Sequence, residues 1–361
     1  MPIRRRSVDA ELRQALAQVA PGTPLRAGVD RIVRSKAGAL LVVNDGPEVL
    51  AICSGGFLVD APYSPQRLSE LAKMDGAIIL SANGERIARA NVHLVPDPTV
   101  PTSETGTRHR TAERVARSLK VPVVSASEEM GVINLYAGGS KHQLQDVSRL
   151  LDRANQALQT LERYKAKLED ALLSLTSAEI EDAASLRDVA TVVQRGEMVS
   201  RIAEEIETMI VELGVDARLL RLQLDEIYGD IDREVELVVA DYLPVGRSAA
   251  EAMVAMATLS DDDVLDPKTA ASMLLGQPVP DELVDLDQDV APKGLRLLKR
   301  VHALPTDSAV RIADHFGGLA RLQRATVLDL MAVDGVDAEL AATIKETLQR
   351  VTENAILDQY S

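Results

Sequence analysis

Residues 106–119 read GTRHRTAERVARSL, and residues 121–127, VPVVSAS, follow almost at once. The first stretch reads as a helix and the second as a strand, so the segment belongs to an α/β layer. Arg108, His109 and Arg110 crowd into the helix start, where the backbone dipole is already positive. Such a start calls for a negative partner from outside the chain.

Outward from this segment, strands and helices interleave. ELRQALAQVA (11–20) is a short helix; GALLVVND (38–45) and VLAIC (49–53) read as strands, with Gly46-Pro47 as the turn between them. SPQRLSELAKM (64–74) opens with Ser64 as N-cap and Pro65 at the first helical position. GAIILS (76–81) and RIARANVHLV (86–95) read as strands joined through Asn83-Gly84, a strong hairpin signal. VPVVSAS and GVINLYAGG (131–139) complete a mixed sheet with helices packed on it. From Lys141, KHQLQDVSRLLDRANQALQTLERYKAKLEDALLSL has apolar residues at helical spacing and neither Gly nor Pro, which predicts one long amphipathic helix. The stretches 184–214 and 218–243 continue in that style, and 260–292 reads as a loop-rich joint. The last block holds two similar pieces, each a turn and then a helix: LPTDSAVRIADHFG (304–317) and VDGVDAELAATIKETL (333–348). The fold class is therefore an α/β N-terminal domain, a mixed sheet flanked by helices, followed by an all-α spacer and an all-α C-terminal domain.

The net charge of −15 is unevenly spread. Residues 1–150 hold 19 Lys and Arg against 15 Asp and Glu, a net of +4; residues 151–290 hold 12 against 31, a net of −19; residues 291–361 balance at 9 and 9. The first block can accept an anion without opposing the field of the whole chain. Aromatics are 2% of residues, too few for a groove that stacks single-stranded bases. The lone Cys53 excludes an internal disulfide and reads as a small core residue. MPIRRRSVDAEL lacks a signal peptide's apolar stretch and no run approaches a membrane span, so a cytoplasmic protein with no membrane partner is expected.

Three stretches of the first block lie at junctions of regular elements, where open α/β sheets keep ligands. MDGAIILS (74–81) puts Asp75 and Gly76 before a strand; the glycine permits close approach, and the carboxylate suits Mg2+ or Mn2+. GTRHRT offers Thr107, Arg108, His109, Arg110 and Thr111 as hydroxyl, guanidinium and amide donors. SASEE (125–129) adds Ser125, Ser127, Glu128 and Glu129. Together they read as a nucleotide or polyphosphate site. Each also has a plainer reading: a solvated basic face, a common turn, a helix cap, and a structural histidine at His93.

MDGAIILS followed at this separation by GTRHRTAERVARSL resembles the diadenylate cyclase domain. With the helical spacer and a C-terminal helix-hairpin-helix pair, the chain resembles the DNA integrity scanning protein family over nearly its whole length. The resemblance implies a diadenylate cyclase domain at 1–145, an acidic helical spacer at 146–290 and a helix-hairpin-helix DNA-binding domain at 291–361. It implies condensation of two ATP to cyclic di-3′,5′-AMP and two pyrophosphates, in a homo-octamer whose sites face each other across a subunit interface. Asp75 would position the metal, Mg2+ or Mn2+, and activate the ribose 3′-hydroxyl. Gly76 would lie against the nucleotide and Leu94 would contact adenine through its backbone. Thr107, Arg108, His109, Arg110 and Thr111 would bind the phosphates, with Ser127 nearby. Branched DNA would regulate the cyclase through the last domain, where Lys293, Arg296, Lys299 and Arg300, with Arg311, Arg321, Arg324 and the hairpin Gly335, are the candidate contacts. The second hairpin departs from the family pattern: Asp337 replaces a glycine and puts a carboxylate where phosphate would sit. The competing reading is an oligomeric DNA-junction scaffold whose nucleotide site senses ATP but makes little product.

Overall fold

A computed structural model of the chain describes residues 10–128, 131–244, 246–275, 284–302 and 304–358. The chain divides into two compact units, one spanning Arg5–Leu158 and Glu205–Leu224, the other mainly Gln159–Glu204 and Asp225–Ser361.

In the first unit, α1 (Ala10–Val19) and α2 (Pro24–Arg34) precede β1 (Ala39–Val43). Then come α3 (Pro47–Ala51), β2 (Cys53–Ser54), β3 (Phe57–Pro62), α4 (Pro65–Leu71), β4 (Ala77–Leu80) and β5 (Arg86–Leu94). The order closes with α5 (Thr107–Leu119), β6 (Val123–Ala126), β7 (Ile133–Ala137) and β8 (Ser140–Gln143). The strands form one mixed sheet in the order β2-β5-β4-β1-β6-β7-β8, with β3 also on β5. β1 and β4 run parallel, and every other described pairing is antiparallel.

β1 and β4 are buried along their whole length because helices cover both faces of the sheet. Leu41, Val43, Ile78 and Leu80 point into one core with Leu16, Ile32 and Leu68 from α1, α2 and α4. Leu40, Val42, Ala77 and Ile79 point into the other with Ala112, Val115 and Ala116 from α5. This strict alternation follows from the two-residue period of a strand. The Ser64 side chain caps α4 through the Arg67 N–H at 3.2 Å, with Pro65 beginning the helix.

Four local expectations change. Of VLAIC only Cys53 enters a strand, β2: Gly46 and Pro47 start the short helix α3, because proline suits a first helical turn and has no N–H to give a ladder. Cys53, expected in the core, is half-buried and its thiol donates to the Val49 carbonyl at 3.2 Å. The long helix does not begin at Lys141. Gly138 and Gly139, with φ of 59° and 77°, turn the chain back so that Ser140–Gln143 pairs with β7. The helix, α6 (Val147–Ile180), starts after that hairpin and leads to α7 (Leu186–Leu213). The stretch 218–243 breaks at Gly229 into α8 (Arg218–Tyr228) and α9 (Ile231–Tyr242).

The second unit is helical. α10 (Ala249–Ala257) is followed by α11 (Asp261–Leu265) and α12 (Pro267–Leu275), so the expected loop-rich joint begins as helix. Ser260 and Asp263 form a capping box there, and Pro267 opens α12. Residues 276–283 of that joint lie outside the described residues. The C-terminal helices α13 (Leu295–Leu298), α14 (Thr306–Phe316), α15 (Leu319–Arg324), α16 (Val327–Met331) and α17 (Ala338–Asp358) share one core that includes Leu298, Ile312, Leu322, Leu330 and Ile344.

Arg296, expected among the phosphate contacts, is instead 2% exposed. Its guanidinium ion-pairs with Glu179 and donates to the Thr176 hydroxyl at 3.0 Å. The Tyr242 hydroxyl donates to Glu179 at 2.8 Å, and the Asp241 carboxyl accepts the N–H groups of Leu295 and Arg296 at 2.5 and 2.9 Å. Burial, aided by Glu179, pushes the Asp241 carboxyl up to about 6. Lys293 is turned inward too, donating to the carbonyls of Ala240 and Leu243 at 3.1 and 2.8 Å. Arg296→Met leaves Glu179 without its cation, and urea unfolding is expected to register a loss of about 3–5 kcal/mol. Unchanged stability would show that the buried pair does not hold this joint.

Candidate functional site

The strand ends Leu40, Gly76–Ala77 and Val92–Leu94, the turn Ser54–Gly56 and the start of α5 enclose a cleft of about 850 Å³ in the first unit. Asp75, Leu94, Thr107, Arg108, His109, Thr111 and Ser127 all line it, as does Gly76. The sequence motifs at 75–76 and 106–111 thus converge. Arg110 does not line it: two residues beyond Arg108 it lies about 200° further round the helix and is exposed. Glu128 is exposed outside the lining set, and Glu129 lies outside the described residues.

α5 is capped by Gly106, with no side-chain cap and no acidic residue in its first turn. Its leading N–H groups are therefore left for an external acceptor, the usual character of an anion-binding helix start. Arg108 lies across the cleft from Asp75, with Nη2 at 3.7 Å from the carboxylate. Asp75 is fully exposed, so this ion pair is weak and yields readily to a ligand.

The proline-rich segment between β5 and α5 is fastened to the helix. Glu113, only 5% exposed, accepts from the Thr102 hydroxyl at 2.5 Å and the Ser103 N–H at 3.0 Å, and pairs with Arg117 at 2.8 Å. Burial pushes its carboxyl up, but these hydrogen bonds and Arg117 outweigh it and hold the group below the usual range. Arg114 donates to the Val100 carbonyl at 3.0 Å. Beneath the first turn, the His109 Nδ1 lies 2.9 Å from the Ser125 hydroxyl and 3.2 Å from that of Tyr136. Burial lowers the His109 pKa, Glu104 opposes this, and Lys141 and Arg108 lower it further.

The glycine of the Asp75-Gly76 pair has a role the sequence does not disclose. A Cβ at Gly76 would sit 2.7 Å from the main chain of Asn91. Asn91 is itself left-handed, at φ 53°, inside an irregular stretch of β5 where the register with β4 shifts. The close neighbour of Gly76 is thus first of all another strand. That irregularity also shapes the cleft wall, and Asn91 and His93 line it. His93, read as structural, is exposed there. Only the glycines of SGG (54–56) and the polar Asn91 hinted at these extra lining residues. At Leu94 the alternation of the ladder matters: Val95 donates to Ile52 across β2 at 2.9 Å, so Leu94 turns its amide and carbonyl the other way. On that side β4 has not yet begun, its first residue Ala77 pairing with Val92. The Leu94 main chain is left facing the cleft.

Among the described residues no group of three or more His, Cys, Asp or Glu side chains is placed to hold a metal ion. A lone, exposed carboxylate such as Asp75 does fit a hard cation whose remaining oxygens come from phosphates and water.

Sheet, helix start and cleft define an α/β domain of the nucleotide-binding class. Residues 26–141 match the family described as "DisA bacterial checkpoint controller nucleotide-binding", and residues 144–281 match the "DisA bacterial checkpoint controller linker region". The chain is 48% identical over 355 residues to the DNA integrity scanning protein DisA of Frankia alni, covering 98% of each chain. It is 49% identical to that of Kineococcus radiotolerans, covering 98% of this chain and 99% of the relative. With that of Streptomyces coelicolor it shares 46%, covering 98% and 95%. The chain belongs to the DisA family, whose nucleotide-binding domain is that of the diadenylate cyclases. No described helix is long and apolar enough to cross a membrane.

Gly76→Ala is expected to force β4 and β5 apart, at about 1–3 kcal/mol as overpacked sites cost. The check is a thermal unfolding scan beside a nucleotide-binding titration; an unchanged melting temperature would mean that the contact with Asn91 relaxes freely.

Proposed function

We propose that the protein is a diadenylate cyclase that condenses two ATP into cyclic di-3′,5′-AMP and two pyrophosphates. The observation that carries this reading is the meeting of Asp75 and Arg108 at a cleft entered by an uncapped helix start. A volume of about 850 Å³ suits a nucleotide, since ligand clefts commonly run to several hundred Å³. In this reading the first N–H groups of α5, with Thr107, Arg108, His109 and Thr111, hold the triphosphate. The Leu94 main chain and Gly76 border the nucleoside. Asp75 orients the 3′-hydroxyl and draws off its proton as oxygen attacks the α-phosphorus of the second ATP and pyrophosphate leaves. A Mg2+ or Mn2+ ion, held by Asp75 and phosphate oxygens, would supply charge neutralisation at the transferring group. Catalysis then rests on placement and on cations facing the spreading charge.

In this reading the cleft takes one ATP and the reaction needs two nucleotides. The reading therefore includes a second copy whose cleft faces the first, within a homo-octamer. The relatives' name and the helical C-terminal region support DNA as a regulatory partner and a cytoplasmic setting. With Arg296 and Lys293 committed to internal bonds, and Lys299 donating to Thr306, the candidates left exposed for a DNA backbone are Arg300, Arg311, Arg321 and Arg324. Gly335 keeps the left-handed turn of the second hairpin, at φ 83°. Asp337 accepts the Leu340 N–H at 2.8 Å, occupying a donor that a phosphate would use. The grip is expected to centre on α14 and α15 and to weaken steeply with salt.

Purified protein incubated with ATP and Mn2+ or Mg2+ should yield the cyclic dinucleotide by mass spectrometry; ATP bound but unconverted would favour the scaffold reading. Asp75→Asn is expected to abolish product while ATP binding persists, and turnover at the parent rate would remove Asp75 from its role. Arg321→Ala with Arg324→Ala should reduce the salt slope of branched-DNA binding by about 2, since each arginine neutralises one phosphate. An unchanged slope would place the DNA elsewhere.

A further inference from the structure

His109 sits at the buried end of a chain of hydroxyl groups whose hydrogens can be assigned. Lys141 Nζ lies 2.6 Å from the Glu104 carboxylate, and the Tyr136 hydroxyl donates to the same oxygen at 3.3 Å. A carboxylate only accepts, so the Tyr136 hydrogen is committed to Glu104. The Tyr136 oxygen can then only accept on its other side, where it meets the Ser125 hydroxyl and His109 Nδ1 at 3.2 Å. Ser125 is fully buried, so its hydrogen and its lone pairs both need partners. If Ser125 donates to Tyr136, it accepts from His109 at 2.9 Å, and every group is satisfied. In the reverse order Nδ1 would bring a bare lone pair against the Tyr136 oxygen, and a buried contact between two acceptors is unfavourable.

We infer that Ser125, Tyr136 and Glu104 form a one-way donor chain that holds the His109 proton on Nδ1, so that binding a triphosphate requires a second proton at Nε2. This rests on the nucleotide reading of the cleft. Nε2 has no hydrogen-bond partner among the described residues, and the ring lines the cleft. With Nδ1–H fixed, neutral His109 turns a lone pair toward the ligand, and a phosphate oxygen is likewise an acceptor. The two repel until Nε2 is protonated; the imidazolium then donates to phosphate. In the empty cleft the second proton is disfavoured by burial and by the Lys141 and Arg108 cations, against which Glu104 acts. An incoming triphosphate adds the negative charge that reverses the balance. Around the ring the charged groups are Arg108 on α5, Glu104 on the segment before it, and Lys141 on β8; β6 and β7 contribute only the hydroxyls of Ser125 and Tyr136. Tyr136 and Glu104 are positioning residues, and the fastening of Thr102 and Ser103 to Glu113 sets where Glu104 stands.

Calorimetric titration of the full chain with 3′-deoxy-ATP and Mg2+ tests this without turnover, because the probe lacks the attacking hydroxyl. Heats measured at pH 7.5 in buffers of different ionisation enthalpy give the protons taken up. The parent should take up about one proton more than His109→Gln. Tyr136→Phe, and the partly exposed Glu104→Ala should the first fail to fold, break the chain, so that the proton is free to sit on Nε2 of the neutral ring and no second one is needed. Their affinity should therefore fall, relative to the parent, less at pH 8 than at pH 6.5, whereas a merely loosened site would weaken equally at both. Equal uptake by parent and His109→Gln, or pH-independent weakening in both chain variants, would overturn the inference and leave the nucleotide reading standing. No binding of 3′-deoxy-ATP at all would overturn both.

Discussion

The first turn of α5 needs a negative charge that the chain supplies only loosely, through the exposed Asp75 at 3.7 Å from Arg108. Around this turn the surrounding structure is firm. Ala112, Val115 and Ala116 bury the helix against the sheet, and Glu113 ties down the segment that leads into it. His109 is anchored from below through Ser125 and Tyr136. A cationic helix start held this rigidly, with its N–H groups uncapped, is organised for an anion before any anion arrives. The cost falls on His109, whose basicity is depressed first by burial and then by Lys141 and Arg108, against the opposing Glu104.

The opposite solution is found in the second unit. There Arg296 is removed from solvent and answered inside the protein by Glu179, with Asp241 bound to the main chain beside it. Buried ion pairs of this kind fix geometry more than they add stability, because desolvation offsets much of the attraction. Two arginines of similar appearance in sequence, Arg108 and Arg296, therefore serve different ends. One is left partly unsatisfied for a ligand. The other spends both of its Nη groups on internal partners, beside the start of α13.

What the sequence by itself determined is local or periodic. The short apolar runs of β1 and β4, the 3.6-residue pattern of α6 and α7, the Ser64-Pro65 helix start and the Asn83-Gly84 turn are each written in neighbouring residues, and each forms as expected. The motifs at 75–76 and 106–111 were legible as a site because their chemistry is unusual wherever it occurs. What only the tertiary structure decided depends on partners distant in sequence. Arg296 is buried because Glu179 stands 117 residues earlier. Gly76 is confined by the left-handed Asn91 of an adjoining strand. The proton on His109 is placed by Tyr136 and, through it, by Glu104. Ser140–Gln143 becomes a strand because a glycine turn lays it on β7, overriding the helical spacing of the residues that follow. A residue's own type sets which bonds it is able to make; packing across the fold sets which of them are left over for a ligand.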